Sequence, residues 1–180
     1  MGGTSIGKDR RKAEGFFERF IVGNGIDIGH GGDPLTPDCK LWDTQQGDAT
    51  SLAGLEDESF DWAYSSHCLE HLAEPSVALA NWWRVVKVGG HLIVAVPDFL
   101  LYEHDYWPSK LNSDHKTKWS CGEREGCVSL KAELLKLPHA ELIYCRLVDT
   151  GYNYDAPRER DQSGTAEVII EGIVRKHEHA

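Results

Sequence analysis

The chain has 180 residues, a net charge of −10 at pH 7 and a hydrophobic fraction of 41%. This length predicts one domain with a buried core, and the negative charge argues against a nucleic-acid partner, because phosphate binding needs a basic face. No apolar run reaches the ~18 residues of a membrane span, and the five scattered cysteines fit reduced thiols. We therefore expect a cytoplasmic protein with neither a nucleic-acid nor a membrane partner.

The first part of the chain predicts a helix, a short strand and a glycine turn. Residues 8–20 have a helical apolar edge, and 26–28 is typical of a short buried strand. Asp27 lies near the end of that strand, and residues 29–32 contain three glycines, which let a backbone approach a ligand closely. A strand that runs into such a turn is where an open α/β sheet places a nucleotide-like ligand.

Strands and helices alternate after the turn. Apolar or alternating runs predict further strands over 39–43, 59–65, 91–96, 142–148 and 166–174. A third short element ends at 47–49. Pro75 opens a helix that Gly89-Gly90 ends, and Pro138 ends another helix that includes Leu130. This alternation predicts an α/β fold with a largely parallel sheet.

Four pieces of the chain, in the same order, resemble the class I S-adenosylmethionine-dependent methyltransferases of the small-molecule type. The pieces are Asp-Ile-Gly-His-Gly-Gly at 27–32, Gly-Asp-Ala-Thr-Ser-Leu at 47–52, the run from Glu58 to Leu72 and the run from Trp83 to Val96. The resemblance implies a Rossmann-like sheet, mostly parallel with an antiparallel last strand, and helices on both faces. Pro34 and Pro37 displace the usual first helix, so we expect a fold trimmed near strands 2–3.

The resemblance implies one methyltransferase domain over residues 1–180 that uses S-adenosylmethionine and releases S-adenosylhomocysteine. Its expected parts are an N-terminal helix (1–23), a cofactor-binding half (24–97), a substrate-side loop (98–127) and a C-terminal helix with strands (128–180). By this resemblance Asp27 holds the methionine amino group, Asp43 the ribose hydroxyls and Asp48 the adenine amino group. The predicted cofactor-binding residues are Asp27, Gly29, His30, Gly31, Asp43, Asp48, Ala49, Ser65 and Ser66.

The segment 98–127 follows the fifth strand of the resemblance, whose end faces the methyl group in this architecture. At about thirty residues it is too long for an ordinary connection, and its aromatic content argues against disorder. We predict a substrate loop that binds a small-molecule acceptor through Tyr102, His104, Trp107, Asp114 and Lys116. His115, next to a carboxylate, is the predicted catalytic general base. This polar, aromatic loop suits O-methylation of a sugar or another hydroxylated metabolite.

Two other interpretations of the glycine turn stay open, a tight connection without a ligand and a nicotinamide dinucleotide site. The dinucleotide site needs Gly-x-Gly-x-x-Gly opening a helix directly. Here Gly23-Asn24-Gly25 precedes the strand, and Pro34 and Pro37 interrupt the helix. The spacing of the acids after the turn suits contacts with the cofactor, and this favours the methyltransferase interpretation.

His67 and His71 stand at i, i+4, which is the spacing of a zinc pair on a helix. Cys68 occupies the place of the Glu that the metalloprotease motif needs, so we expect no metal and a packing or capping role for His71. The adjacent residues Trp82-Trp83 predict core packing, with a homodimer contact left open because one ring must face differently. A second function class also stays open: a non-catalytic S-adenosylmethionine-binding accessory module of a larger assembly.

Overall fold

The computed structural model describes residues 3–157 and 160–178. The strands are β1 (Gly25–Ile28), β2 (Lys40–Trp42), β3 (Phe60–Ser66), β4 (Val86–Pro97), β5 (Trp119–Ser120), β6 (Val128–Ser129), β7 (Ala140–Val148) and β8 (Ile169–Lys176). The helices are α1 (Gly3–Ile6), α2 (Lys8–Ala13), α3 (Phe16–Phe20), α4 (Pro75–Arg84) and α5 (Leu130–Leu135), with a 3-10 turn at Leu69–His71. Within these ranges no helix has the length and apolar character needed to cross a bilayer.

Six strands form one sheet in the order β2-β1-β3-β4-β8-β7. The strands β2, β1, β3 and β4 run parallel, whereas β8 is antiparallel to both of its neighbours, β4 and β7. The two short strands β5 and β6 pair separately in the loop region. This topology confirms the predicted Rossmann-like sheet with an antiparallel last strand.

The sheet is trimmed between β2 and β3, as the sequence predicted. Residues 43–59 form turns and bends in place of a helix and a further strand. The third short element expected to end at 47–49 is therefore not a strand. Its backbone is held by a local turn instead, because the Asp48 carboxylate accepts a hydrogen bond from the Thr50 N–H (2.9 Å).

Three helix boundaries differ from the sequence expectation, one of them at α5, which ends at Leu135 before reaching Pro138. The helix expected over 8–20 is broken at Gly15, whose left-handed backbone (φ +66°) separates α2 from α3. Helix α4 ends at Arg84 rather than at Gly89-Gly90, because Val86 already pairs with Phe60 of β3. The two glycines lie inside β4, where the register with β3 shifts, as at a β-bulge.

Helices cover both faces of the sheet. On one face α4 and α5 pack on alternate strand residues such as Ala63, Leu92 and Val94. A Cβ at Gly172 would lie 2.5 Å from Leu134, so this glycine lets α5 approach β8 closely. On the other face the core consists of Phe16, Phe20, Leu35, Trp62, Tyr64, Ile93 and Ile173.

Trp82 and Trp83 are both buried in the core on the α4 side. Their indole N–H groups point to different acceptors, the Ala49 carbonyl (2.7 Å) for Trp82 and the Pro138 carbonyl (2.9 Å) for Trp83. Neither ring therefore presents the exposed surface that a homodimer contact at this pair would need.

A buried ion-pair cluster joins helix α2 to strand β8. The fully buried Arg11 and Glu171 are paired at 2.9 Å, and Arg10 contacts both Glu171 (3.0 Å) and Glu167 (2.7 Å). Burial alone would raise the pKa of Glu171, but the two guanidinium groups lower it to about 2. The Tyr144 hydroxyl donates a further hydrogen bond to Glu171 at 2.9 Å.

Candidate active site

A cavity of about 310 Å³ opens at the carboxyl ends of β1 and β3. It is lined by Gly29, Gly31, Asp43, Thr44, Gly47, Asp48, Ala49, His67, Cys68, His71 and Leu72. The strand order reverses between β1 and β3, and open α/β sheets bind their ligands at such a switch point. A larger concavity of about 540 Å³ lies at the opposite end of the strands, near Trp83 and Lys176, away from the glycine turn.

The glycine turn forms one wall of the cavity. Gly29 has φ +71°, and a Cβ there would lie 2.4 Å from the Cys68 sulfur, so both backbone and space require glycine. Its N–H donates to the Trp42 carbonyl (2.8 Å), which fixes the turn against β2. Gly31 also has a positive φ (+55°), but a Cβ there would meet nothing within 4 Å. Gly31 therefore leaves its backbone open toward the cavity.

Two of the predicted acids line the same cavity. Asp43 accepts hydrogen bonds from the Gly31 N–H (3.0 Å) and the Thr44 N–H (2.8 Å). Asp48 follows across the cavity in the turn that replaces the third strand. His30 lies beside Asp43, with its Nε2 3.8 Å from the carboxylate, and its Nδ1 accepts from the Gly32 N–H. The fold thus brings together acids and a glycine turn from separate pieces of the chain.

Helix α4 holds the turn that carries Asp48 and Ala49. The indole N–H of Trp82 donates to the Ala49 carbonyl (2.7 Å), and the Asn81 side-chain amide donates to the Thr50 carbonyl (3.0 Å). The sequence predicted core packing for Trp82, with a homodimer contact left open, and no role in the site. The missed signal is the indole N–H, since a buried tryptophan usually finds an acceptor.

Asp27, Ser65 and Ser66 lie in the strands that end at the cavity. Asp27 is 1% exposed, and only one of its carboxylate oxygens has a partner, the Leu35 N–H at 2.7 Å. Burial raises the pKa of this carboxyl to about 7. The Ser65 hydroxyl donates to the Ile28 carbonyl (2.9 Å), whereas the Ser66 hydroxyl is buried without a hydrogen bond.

A group of two imidazoles and a carboxylate, buried except for the partly exposed His71, adjoins the cavity. We call Glu70, His71 and His115 the histidine group. One Glu70 carboxylate oxygen lies 3.8 Å from Nε2 of His71 and 3.9 Å from Nε2 of His115. Each imidazole also has a carboxylate at Nδ1: Asp114 at 3.0 Å for His71 and Glu103 at 2.5 Å for His115. His71 is the member of the group that lines the cavity.

Most of the predicted acceptor residues gather at the histidine group. The Tyr102 ring lies 5.1 Å from the His115 ring, and the Lys116 ammonium donates to the His71 carbonyl (2.7 Å). His115 is itself a member of the group, and Asp114 contacts His71. His104 and Trp107 sit apart in the loop: His104 is buried with neither ring nitrogen hydrogen-bonded, and the Trp107 ring lies 5.9 Å from the Lys118 ammonium.

Sequence reasoning did not single out Glu70 and Glu103. Both side chains are almost fully buried, although Glu is a residue that is rarely buried without a partner. The 98–127 segment covers Glu70, since the Lys116 N–H donates to the Glu70 carbonyl at 2.7 Å. This burial depends on the fold, so local sequence carried no signal for it.

His67 has a strained backbone at the mouth of the cavity. Its φ of +54° is unusual for a residue that is not glycine. Its N–H donates to the Ala95 carbonyl (3.0 Å), and its Nδ1 lies 3.6 Å from the same Glu70 oxygen that the histidine group shares. Strain of this kind clusters at functional sites, where the surrounding structure maintains it.

Comparison with known proteins gives a family match over part of the chain. A family model described as a methyltransferase domain matches residues 26–94. An uncharacterized 37.1 kDa protein in transposon TN4556 of Streptomyces fradiae is 39% identical over 71 residues, which are 39% of this chain and 20% of that protein. The match thus spans about a fifth of that relative's length.

Solved structures are similar over nearly the whole chain. A SAM-dependent methyltransferase from Archaeoglobus fulgidus has a TM-score of 0.59 at 14% identity, covering 97% of this chain and 95% of that one. A chain from the complex of the Haloferax volcanii Trm112 methyltransferase activator with a methyltransferase has a TM-score of 0.59 at 17% identity, covering 98% and 94%.

A third similar structure carries ligands. The Burkholderia thailandensis 1,6-didemethyltoxoflavin-N1-methyltransferase, solved with 1,6-didemethyltoxoflavin and S-adenosylhomocysteine, has a TM-score of 0.54 at 15% identity, covering 98% of this chain and 79% of that one. At these identities the likeness concerns the fold. Residues 26–94 therefore match the methyltransferase domain family, and the chain has the Rossmann-like fold of the class I S-adenosylmethionine-dependent methyltransferases.

Proposed function

We propose that this protein transfers the methyl group of S-adenosylmethionine to a hydroxyl group of a small acceptor. The observation that carries the proposal is the cavity at the switch point of the sheet. It brings together the glycine turn at 29–31, Asp43 and the turn at 48–49, which come from separate pieces of the chain. Its volume of about 310 Å³ lies within the usual range of small-molecule sites.

The residues at the cavity fit this cofactor. Asp43 and Asp48 offer carboxylates for the ribose hydroxyls and the adenine amino group. Asp27 and Ser66 do not line the cavity, but they lie in the strands that end at it, and each has a buried polar atom without a partner that a methionine ammonium or carboxylate could satisfy. When bound, S-adenosylmethionine supplies an electrophilic methyl carbon, whose bond to sulfur breaks with its electron pair on sulfur as the acceptor oxygen forms the new O–C bond.

The protein's own part in the reaction is positioning and removal of the acceptor proton. We place the activation of the acceptor hydroxyl at the histidine group. His71 faces the cavity, and the His115 ring lies edge-on behind it at 4.8 Å. The side chain of His115 is 2% exposed, so we assign it a role through His71 rather than direct contact with the acceptor.

A small hydroxylated acceptor, such as a sugar, suits the residues beside the histidine group. Tyr102, Asp114 and Lys116 offer a ring face, a carboxylate and an ammonium, which can bind hydroxyl groups from several sides. The net charge of −10 disfavours a nucleic-acid acceptor. The site is therefore assigned to a small metabolite.

Calorimetric titration with S-adenosylmethionine and S-adenosylhomocysteine tests the cofactor part. We expect both to bind, and Asp43→Asn to weaken binding about tenfold or more, since a hydrogen bond to a charged group contributes about 1.5–3 kcal/mol. Asp57→Asn is the matched control, because its side chain is 71% exposed beside Arg84 at the other end of the sheet. Absence of binding by both molecules would overturn the proposal.

A second candidate function is a cofactor-binding accessory module that is inactive alone. The trimmed sheet and the likeness to a chain of a methyltransferase–activator complex support it. Turnover against a panel of hydroxylated acceptors separates the two candidates. Cofactor binding without turnover favours the module, provided that His115→Ala leaves the cofactor affinity unchanged.

A further inference from the structure

Glu70 is a buried carboxylate without a hydrogen bond. Its residue is 0% exposed, and neither of its carboxylate oxygens has a hydrogen-bond partner. Burying an unpaired carboxylate costs several kcal/mol, so buried charges are normally paired or bound to metals. We therefore ask which groups near Glu70 could compensate the negative charge of its carboxylate.

In their neutral form, the imidazoles next to Glu70 do not donate a hydrogen bond to it. Nδ1 of His71 is held by Asp114 and Nδ1 of His115 is held by Glu103. A carboxylate at Nδ1 fixes the proton of a neutral imidazole on that nitrogen, which leaves a lone pair on Nε2. Both Nε2 atoms then lie with their lone pairs near the same Glu70 oxygen, at 3.8 and 3.9 Å. Three electron-rich atoms of neutral imidazoles and a carboxylate repel one another, and a cation bound between them would relieve that repulsion.

We propose that Glu70, His71 and His115 bind one divalent transition-metal ion. Two imidazoles and a carboxylate, with one position left open, are the protein ligands of many catalytic zinc sites. Their ligand atoms lie within 4.8 Å of one another. Ligand atoms around a four-coordinate zinc lie roughly 3.3 Å apart, because each bond is about 2.0–2.1 Å. Small side-chain rotations would close that difference.

The surroundings of the histidine group match those of a metal site. Metal-binding imidazoles usually donate their second N–H to a carboxylate or carbonyl, which orients the ring. Asp114 is placed to accept such a hydrogen bond from Nδ1 of His71, and Glu103 from Nδ1 of His115. With Glu70 they place three carboxylates around two imidazoles, and a divalent cation would offset this negative charge.

The metal site was not predictable from the spacing of His67 and His71 alone. His71 ends a 3-10 turn that begins at Leu69, so the two residues do not share an α-helix, and Nδ1 of His67 also lies 3.6 Å from the Glu70 oxygen. The third ligand, His115, comes from the substrate-side loop. The fold therefore assembles a ligand set that no single stretch of sequence contains.

The position of the metal gives it a role, and this role rests on the proposed function. His71 lines the cavity, so an ion held by the histidine group would lie beside the proposed cofactor site. A bound divalent ion lowers the pKa of a coordinated hydroxyl. The acceptor hydroxyl would lose its proton to solvent and present an alkoxide oxygen, which forms the new bond to carbon.

Metal binding is tested on the full chain without any cofactor. The protein is stripped with a chelator and titrated calorimetrically with Zn²⁺, and Co²⁺ is added as a coloured probe of ligand geometry. We expect one ion per chain. Glu70→Gln keeps the shape of the side chain and removes its charge, so we expect at least a 100-fold loss of affinity. His115→Ala should have a similar effect.

Two further variants separate metal binding from misfolding. Glu103→Gln leaves the three ligands in place and should weaken Zn²⁺ binding about 10- to 100-fold, because it disturbs only the orientation of His115. His177→Ala is the matched control, since His177 also contacts a carboxylate (Glu141, 2.7 Å) but lies at the far end of the sheet. Its affinity should equal that of the wild type.

The outcomes distinguish this inference from the proposed function. Binding of S-adenosylhomocysteine by the folded protein without stoichiometric Zn²⁺ or Co²⁺ binding overturns the metal site and leaves the proposed function intact. Metal binding that Glu70→Gln and His115→Ala leave unchanged also overturns it. Stoichiometric metal binding without cofactor binding supports the metal site and counts against methyl transfer.

Discussion

At the residue scale, Gly29 shows how one position shapes the cavity. Its φ of +71° is a conformation that side chains rarely adopt, and the Cys68 sulfur occupies the place of a Cβ. Cys68 follows β3 and Gly29 follows β1, so this contact sets how closely the two strand ends meet. The glycine turn was predictable because glycine is itself the signal. The contact with Cys68 was not, since it depends on the pairing of β1 with β3.

We expect Gly29→Ala to destabilise the protein by about 2–5 kcal/mol. The left-handed backbone costs roughly 1–2 kcal/mol, and the clash with Cys68 adds about 1–3 kcal/mol of overpacking. Gly54→Ala is the control, because Gly54 has φ +89° but open space around its Cβ position. Urea unfolding measures both variants. Equal losses would show that the Cys68 contact is unimportant.

The Asp27 carboxyl predicts a pH dependence of stability. Its folded pKa is raised to about 7 by burial, whereas an unfolded aspartate titrates near about 3.9. Between these values the folded state keeps a proton that the unfolded state has released. This contribution to stability is therefore fully present below about pH 4 and is lost as the pH rises through about 7.

Asp27→Asn should remove this dependence, because an amide does not ionise. We expect the free energy of unfolding of Asp27→Asn, relative to wild type, to rise by on the order of 1 kcal/mol per pH unit between about pH 4 and pH 7. Urea unfolding at several pH values measures it, with Asp57→Asn as an exposed control. Parallel curves for the wild type and Asp27→Asn would contradict the assignment.

At the scale of elements, helix α4 supports the cavity although none of the residues that line the cavity belongs to it. Its Trp82 indole holds the Ala49 carbonyl, and its Trp83 indole holds the Pro138 carbonyl beside α5. The helix thus joins the turn at 48–50 on one side to the C-terminal part on the other. The two neighbouring tryptophans have the same chemistry but different targets.

This difference makes the two tryptophans a matched pair. Trp82→Phe and Trp83→Phe each remove one indole hydrogen bond, a loss of about 1 kcal/mol, plus some packing. We expect only Trp82→Phe to weaken S-adenosylmethionine binding, about fivefold, because only Trp82 holds the turn predicted to contact adenine. Calorimetric titration of both variants measures this. Equal affinities would count against a role for the 48–49 turn.

Elements with a strong local pattern were predictable, and their boundaries were less so. The strands β3 and β4 and the start of α4 at Pro75 follow from alternating apolar residues and from proline chemistry. The predicted end of α4 was wrong, because Val86 pairs with Phe60, a residue distant in sequence. The burial of Glu70 and Glu103 has the same origin, since it arises only when the loop packs on the turn after β3.

At the scale of the whole molecule, a buried ion pair links regions far apart in sequence. Arg11 in α2 and Glu171 in β8 are both 0% exposed, and they hold the N-terminal helices against the sheet. The same strand, β8, pairs with β4 and thereby supports the cavity side of the sheet. The stability of the N-terminal helices is therefore coupled to the centre of the fold.

Glu171→Gln should cost about 3–5 kcal/mol, because it leaves Arg11 buried without a counter-charge. Glu14→Gln is the control, since Glu14 is 37% exposed and pairs with Arg10 at the surface, where ion pairs contribute about 0–1 kcal/mol. Thermal unfolding of both variants measures the difference. Similar melting temperatures would show that the buried pair contributes little.

The position of β8 also determines how the polypeptide can fold during synthesis. β8 follows β7 in sequence, yet it lies between β4 and β7. The parallel half from β1 to β4 can assemble while the remaining chain is still inside the ribosome. Until β8 emerges, β4 has an open edge and β7 lacks its sheet partner. The nascent protein must protect these two edges from intermolecular pairing, which makes this interval its period of greatest aggregation risk.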